Sequence, residues 1–139
     1  MPKCQIFSFK DDLLEVVPGG LFMHSVVGET MSVGVVKYIA SGAGGIATKA
    51  HAHGEEASLQ ILGGCHMVQG EVGAPALNQM DIDAGAVMII PAEQMHYGIN
   101  TYGAEGISLR LNVASPPRAE YGSKDKPTVF SHQAKEPAR

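Results

Sequence analysis

Short apolar runs broken by glycine dominate the chain, and most of them alternate with polar residues at a spacing of two. Residues 21–27, 31–39, 48–53, 57–62, 65–69, 75–80, 86–90, 95–99 and 107–113 carry the Val, Ile, Leu and Met content expected of strands. The breaks fall at Gly28-Glu29, 41–45, Gly63-Gly64, 70–73, 83–85 and 102–106, where glycine recurs as a turn former. This spacing predicts an all-β fold, and closure into a barrel would remove the exposed edges that invite aggregation. Residues 1–20 are expected to form an arm, with a strand at 5–9 and a turn or short helix at 11–17. Residues 21–115 then form the barrel core, and 116–139, rich in Pro, Lys, Ser and Ala, a strap and loose tail.

A chain of 139 residues suits one domain, which would bury about two-thirds of its unfolded surface. With 45% hydrophobic and 17% charged residues it is globular rather than disordered, and no apolar run approaches the length of a membrane span. The formal charge of −4, with no stripe of Lys or Arg, argues against a nucleic-acid partner. Cys4 and Cys65 show no paired spacing and read as free thiols of a reducing compartment. The first residues lack the apolar stretch of a secretory signal, so a cytoplasmic location is expected.

The candidate chemistry lies in the histidines. His51 and His53 are two apart, so on a strand their imidazoles share a face, with Cα atoms roughly 7 Å apart. Imidazole nitrogens bind zinc, copper, iron and nickel at about 2.0–2.1 Å, so a third ligand must come from elsewhere, and His96 is the candidate. A His-x-His pair alone arises by chance in a chain with six histidines. Its frame is more telling: Gly45, five residues, His51-Ala-His53, the acidic pair Glu55-Glu56 and an apolar run to Gly63. Then come Gly85, five residues, Pro91, four residues, His96, three residues and Asn100.

That frame resembles the two signature motifs of the cupin superfamily, double-stranded β-helix (jelly-roll) barrels that commonly hold a divalent metal. Pro18-Gly19, the run Gly28-Glu29-Thr30-Met31-Ser32-Val33, and above all Asn112-Val113-Ala114-Ser115-Pro116-Pro117-Arg118-Ala119-Glu120-Tyr121 look like the small single-domain cupins of pectin and alginate breakdown. Those enzymes convert 4,5-unsaturated uronates into open-chain keto acids. The resemblance implies a divalent metal (Zn, Ni, Mn or Fe) on His51, His53, His96 and a Gln or Glu four residues after the second histidine. That position is Ala57, which cannot coordinate, leaving Glu56 or water as the fourth ligand. Strand alternation groups Ala57, Leu59 and Ile61 on one face, so a local bulge is expected to turn Glu56 inward.

The same resemblance makes Arg118 the residue that grips a substrate carboxylate. It also places Asn112 where the family has a proton-moving aspartate, and Ala114 where it has an aromatic. An amide can hydrogen-bond but cannot serve as a general base. Arg110 shares a strand face with Ser108 and Asn112; directed inward it needs an anion, directed outward it pairs at the surface. Asn112, Arg110 and Arg118 are therefore the substrate-binding candidates. His66 reads as an ordinary strand histidine, and His24 and His132 carry no spacing argument. Tyr38, Tyr97 and Tyr102 could each donate a phenol hydrogen bond in the pocket or sit as ordinary half-buried strand tyrosines, and Met31, Met67, Met80, Met88 and Met95 read as core packing. Glu93 stands where the second motif usually has glycine.

The expected function is a metal-dependent enzyme of isomerase, lyase or ring-opening type acting on a small, anionic, sugar-acid-like substrate. A non-catalytic metal or small-molecule binding barrel and an Fe(II) dioxygenase are the alternatives. The resemblance also implies a homodimer, packed through N-terminal strands such as 5–9 or through the outer barrel sheets.

Overall fold

The computed structural model describes residues 2–40 and 50–118. Among these the chain forms strands and no helix: β1 (Leu14–Val17), β2 (Leu21–Val27), β3 (Ser32–Ile39), β4 (Glu55–Leu62), β5 (Gly64–Gln69), β6 (Asn78–Asp83), β7 (Val87–Ile90), β8 (His96–Thr101) and β9 (Ile107–Ser115). They pair antiparallel in a six-stranded sheet, β1-β2-β3-β9-β4-β7, and a three-stranded sheet, β6-β5-β8. The all-β, two-sheet architecture expected from alternation is thus the one observed.

A single residue, Gly63, carries the chain from β4 in one sheet to β5 in the other. Its φ of 62° lies in the left-handed region, and a Cβ there would run into the backbone oxygens of Ile107 and Thr101. Only glycine satisfies both demands.

The inner face of the larger sheet is apolar on β1 to β3 and on β7, and polar along β9 and β4 between them. Leu21, Met23, Val36, Tyr38 and Val17 form one buried cluster on β1 to β3, while Met88 and Ile90 of β7 join Cys65, Met67 and Ile82 in another. Between them β4 directs Glu56, Ser58 and Gln60 inward, and β9 directs Ser108, Arg110, Asn112 and Ala114. The register aligns Glu56 with Ala114, Ser58 with Asn112, and Gln60 with Arg110. Burying each large apolar side chain contributes about 1.5–3 kcal/mol, so the flanking clusters must offset the cost of a polar wall.

Several sequence expectations change. Residues 5–9 are not a strand: Phe7 stacks on His24 at a centroid distance of 4.9 Å, and the Gln5 side chain donates to the Val27 carbonyl. The 11–17 segment is a turn followed by β1 rather than a helix, because Leu14 to Val17 find partners on β2. The strand expected at 75–80 begins at Asn78 and runs to Asp83, since Leu77 N first closes the loop onto the Gln69 carbonyl. Of the run 48–53, residues 48 and 49 lie outside the described residues, and His51 makes an isolated bridge instead of a strand. The strap and tail from 119 to 139, with His132, also lie outside them.

Candidate metal centre

The two glycine-led segments are stitched together through their backbones. His51 N donates to the His96 carbonyl and His96 N to the His51 carbonyl, each across 3.0 Å. This doubly bonded antiparallel pair projects both imidazoles from one side. Glu93 N donates to the His53 carbonyl across 2.7 Å, holding the next turn of the first segment against the second. Glu93 adopts a φ of 61°, a conformation that explains why glycine suits this position. Gly54 is tightly enclosed: a Cβ there would run into the Ser115 carbonyl and the Pro116 ring.

The ring centroids of His51, His53 and His96 lie 4.4 to 5.3 Å apart, and their ligand atoms are all within 4.8 Å of one another. His53 Nδ1 lies 2.7 Å from the Gly54 carbonyl oxygen and His96 Nδ1 lies 2.8 Å from that of Gln94. A carbonyl only accepts, so both Nδ1 atoms carry a proton, which leaves Nε2 of each ring as the nitrogen that can turn a lone pair towards an ion. These two Nε2 atoms face each other at 3.1 Å. That is about the separation of two neighbouring nitrogen ligands on one ion at 2.0–2.1 Å, and without a proton or cation between them the lone pairs would repel. Backbone carbonyls that fix the imidazole tautomer are the usual outer support of a metal-binding histidine. The donor set therefore fits a divalent transition metal. His96 is further suited because burial, with the nearby charges of His51 and His53, pulls its pKa down to about 4 against the Gln94 hydrogen bond. It is neutral near pH 7, as a ligand must be.

Glu56 is buried beside this group, its Oε2 lying 2.9 Å from His53 Nε2 and 3.1 Å from Arg118 Nη1. Burial alone would raise its pKa, but the bond that His53 donates when Nε2 is also protonated in the ion-free protein, the Arg118 guanidinium, and the charges His53 and His96 then carry outweigh it and hold the carboxyl below its ordinary range. No bulge brings Glu56 inward. It shares a face with Ser58 and Gln60, and the irregularity of β4 falls later, between Gln60 and Leu62. The expectation of a bulge assumed an apolar interior wall, whereas this wall is polar.

A cavity of about 40 Å³ opens beside the histidines. His51, Glu56, His96, Arg110, Asn112 and Arg118, six of the seven residues singled out in the sequence, line it, and His53 adjoins through Glu56 and His96. Arg110 points inward, not to the surface. Asn112 Oδ1 accepts from Ser58 Oγ across 2.7 Å. The Arg118 guanidinium sits on Glu56, and its backbone N donates to Ser32 Oγ. Tyr38 also lines the cavity, its phenol pushed up to about 12 chiefly by burial. Tyr102 packs instead against the Leu21 cluster. Met67, Met80 and Met88 line an apolar recess that shares His96, Met67 and Ile90 with the cavity. His66 is on the exterior, bonded to Asp81 and Gln79.

Ser58 and Gln60 were not among the sequence candidates. The signal was the polar parity of Glu56, Ser58 and Gln60, the same pattern that marks Ser108, Arg110 and Asn112 on β9.

Fold and site together define a cupin-fold protein with a three-histidine group able to hold a metal ion. The likeness rests on solved structures, since no family model and no curated protein sequence matches the chain. KdgF from Halomonas sp. superposes with a TM-score of 0.63 at 17% identity, covering 85% of this chain and 97% of that one. An RmlC-like cupin from Shewanella frigidimarina gives 0.62 at 18% identity over 87% of this chain and 99% of the other. Hydroxypropylphosphonic acid epoxidase from S. wedmorenis gives 0.58 at 20% identity, over 79% of this chain and 59% of that longer one.

Proposed function

We propose that the protein is a metal-dependent enzyme of isomerase, lyase or ring-opening type acting on a small carboxylate-bearing, sugar-acid-like molecule. The observation that carries this reading is the convergence of three histidines on a cavity lined by buried arginine. His51, His53 and His96 hold the ion, with Glu56 as the neighbouring carboxylate donor. A divalent transition metal, when bound, supplies a Lewis acid for a carbonyl or hydroxyl oxygen of the substrate. The chain's own residues do the rest. Gly54 and Gln94 orient the imidazoles, Arg118 keeps Glu56 ionised beside them, and Asn112, with its carbonyl oxygen taken by Ser58, has its amide N–H groups to offer a substrate oxygen.

A second reading, a binding barrel without turnover, is favoured by one observation. Asn112 cannot accept a proton, Glu56 is engaged by His53 and Arg118, and the Tyr38 phenol stays protonated, so with the three histidines given to an ion the described residues lining the cavity offer no free base near pH 7. We also propose a homodimer through the outer face of the larger sheet, where Val87 and Ile89 are 72% and 59% exposed beside Leu59.

Metal analysis of protein purified without a polyhistidine tag tests the centre. About one equivalent per chain, lost in His51→Ala and His96→Ala, is expected; substoichiometric metal that these changes leave untouched would sink the proposal. Incubation of the loaded protein with 4,5-unsaturated galacturonate separates ring opening from its sister reactions. With asparagine at 112, the ultraviolet absorbance is expected to fall slowly or not at all.

A further inference from the structure

Arg110 occupies the inner face of β9 between Val36 of β3 and Gln60 of β4. It is 8% exposed and lines the cavity, and its Nη1 has no hydrogen-bond partner among the described residues. Glu56 is the only carboxylate among the described residues lining the cavity, and Arg118 and His53 already engage it. The other groups that bear on Arg110 are the Cys65 sulfur, which it contacts, and the Tyr38 phenol, while the charge of Glu56 reaches it more weakly than either. A thiol is a weak acceptor and a protonated phenol brings no charge, so neither neutralises a guanidinium. Gln60 Oε1, on the paired position of β4, is likewise buried without a partner. A buried cation in this state is costly unless a counter-anion completes it.

We propose that Arg110 receives the anionic group of the ligand, and that the ligand is a small hydroxy- or oxo-carboxylate whose second oxygen faces the three histidines. Its planar fork of donors matches a carboxylate in bidentate fashion. At about 10–15 Å³ for each water, the cavity of about 40 Å³ has room for the few atoms of a carboxylate beside Arg110. Sequence resemblance pointed to Arg118 for this role, but the charge of Arg118 is already answered by Glu56. The role of the second oxygen rests on the metal-dependent reading above; anion capture by Arg110 does not.

Calorimetric titration with glycolate, and with uncharged glycolamide as control, tests the assignment on zinc-loaded and on metal-stripped protein. Glycolate is expected to bind both forms, with glycolamide weaker by about tenfold or more. Arg110→Met should weaken glycolate by a similar factor in both forms without lowering the melting temperature of ligand-free protein, because it removes an unneutralised buried charge. Arg110→Lys should restore part of the binding. Glycolate affinity unchanged in Arg110→Met overturns the proposal, as does a drop in ligand-free stability with binding intact, the mark of an arginine completed by ordered water. Binding that depends on zinc but not on Arg110 overturns this inference and leaves the metal reading standing. Binding that depends on Arg110 in protein unable to take up metal does the reverse. Should the variants fail to fold, the Arg110 side-chain Nε–H resonance of the native protein decides: a shift on adding glycolate supports the assignment, and an unmoved resonance overturns it.

Discussion

Arg118 Nη1 donates to Glu56 Oε2 across 3.1 Å, and both side chains are almost wholly withdrawn from solvent. The same oxygen lies 2.9 Å from His53 Nε2, so a residue just beyond β9 braces the histidine group through a carboxylate.

Breaking this pair from one side leaves the other charge buried alone. Arg118→Met is therefore expected to cost about 3–5 kcal/mol in urea unfolding. Pairing it with Glu56→Gln should recover part of that loss, and a double-mutant cycle with no coupling would show that the contact contributes nothing.

Acid should loosen the metal-free protein. The His96 pKa is about 4 in the folded state against 6.5 ordinarily, so between those values the unfolded chain binds more protons and stability rises with pH. Glu56, held below its ordinary value, adds to the same trend lower down. Melting temperatures of chelator-treated protein are expected to be level above pH 6.5 and to fall steadily towards pH 4. His66 acts oppositely: its raised pKa, set by Asp81 and Gln79, gives stability below pH 6.5 that is lost as the pH passes its folded value. In His66→Gln this small contribution should vanish.

Glu93→Gly removes a left-handed non-glycine residue. Relief of about 1–2 kcal/mol, less the greater unfolded-state entropy of glycine, should leave a net gain of about 0.5 kcal/mol. Urea denaturation measures it, and a clear loss would mean that the Glu93 side chain stabilises the turn in its own right.

Sedimentation at micromolar concentration tests the proposed dimer. The wild-type chain should sediment as a dimer and Ile89→Lys, which places a charge on the outer face of β7, as a monomer. A wild-type monomer would rule the proposal out.

The fold was legible because alternation and glycine breaks are local signals. The β2 segment matches its sequence reading residue for residue, and β9 exceeds it only by Ala114 and Ser115. The centre was legible in part, because the spacing of His51, His53 and His96 is a property of two strand-like segments that any closing barrel brings together. What the sequence concealed was polarity. Alternation separates Glu56, Ser58 and Gln60 from Ala57, Leu59 and Ile61, but it does not say which set faces inward. Hydrophobic burial favours the apolar set, and only the pairing of β4 between β9 and β7 decides for the polar one. The division of labour between Arg110 and Arg118 was hidden for a similar reason, since it depends on which arginine Glu56 reaches.

The histidines also straddle a seam. His51 and His53 lead into β4 of the larger sheet, while His96 opens β8 of the smaller one. A ligand shared by all three would act as a rivet between the sheets, tying cation supply to the lifetime of the folded protein. Cells starved of the ion would then lose the molecule itself along with any activity it has.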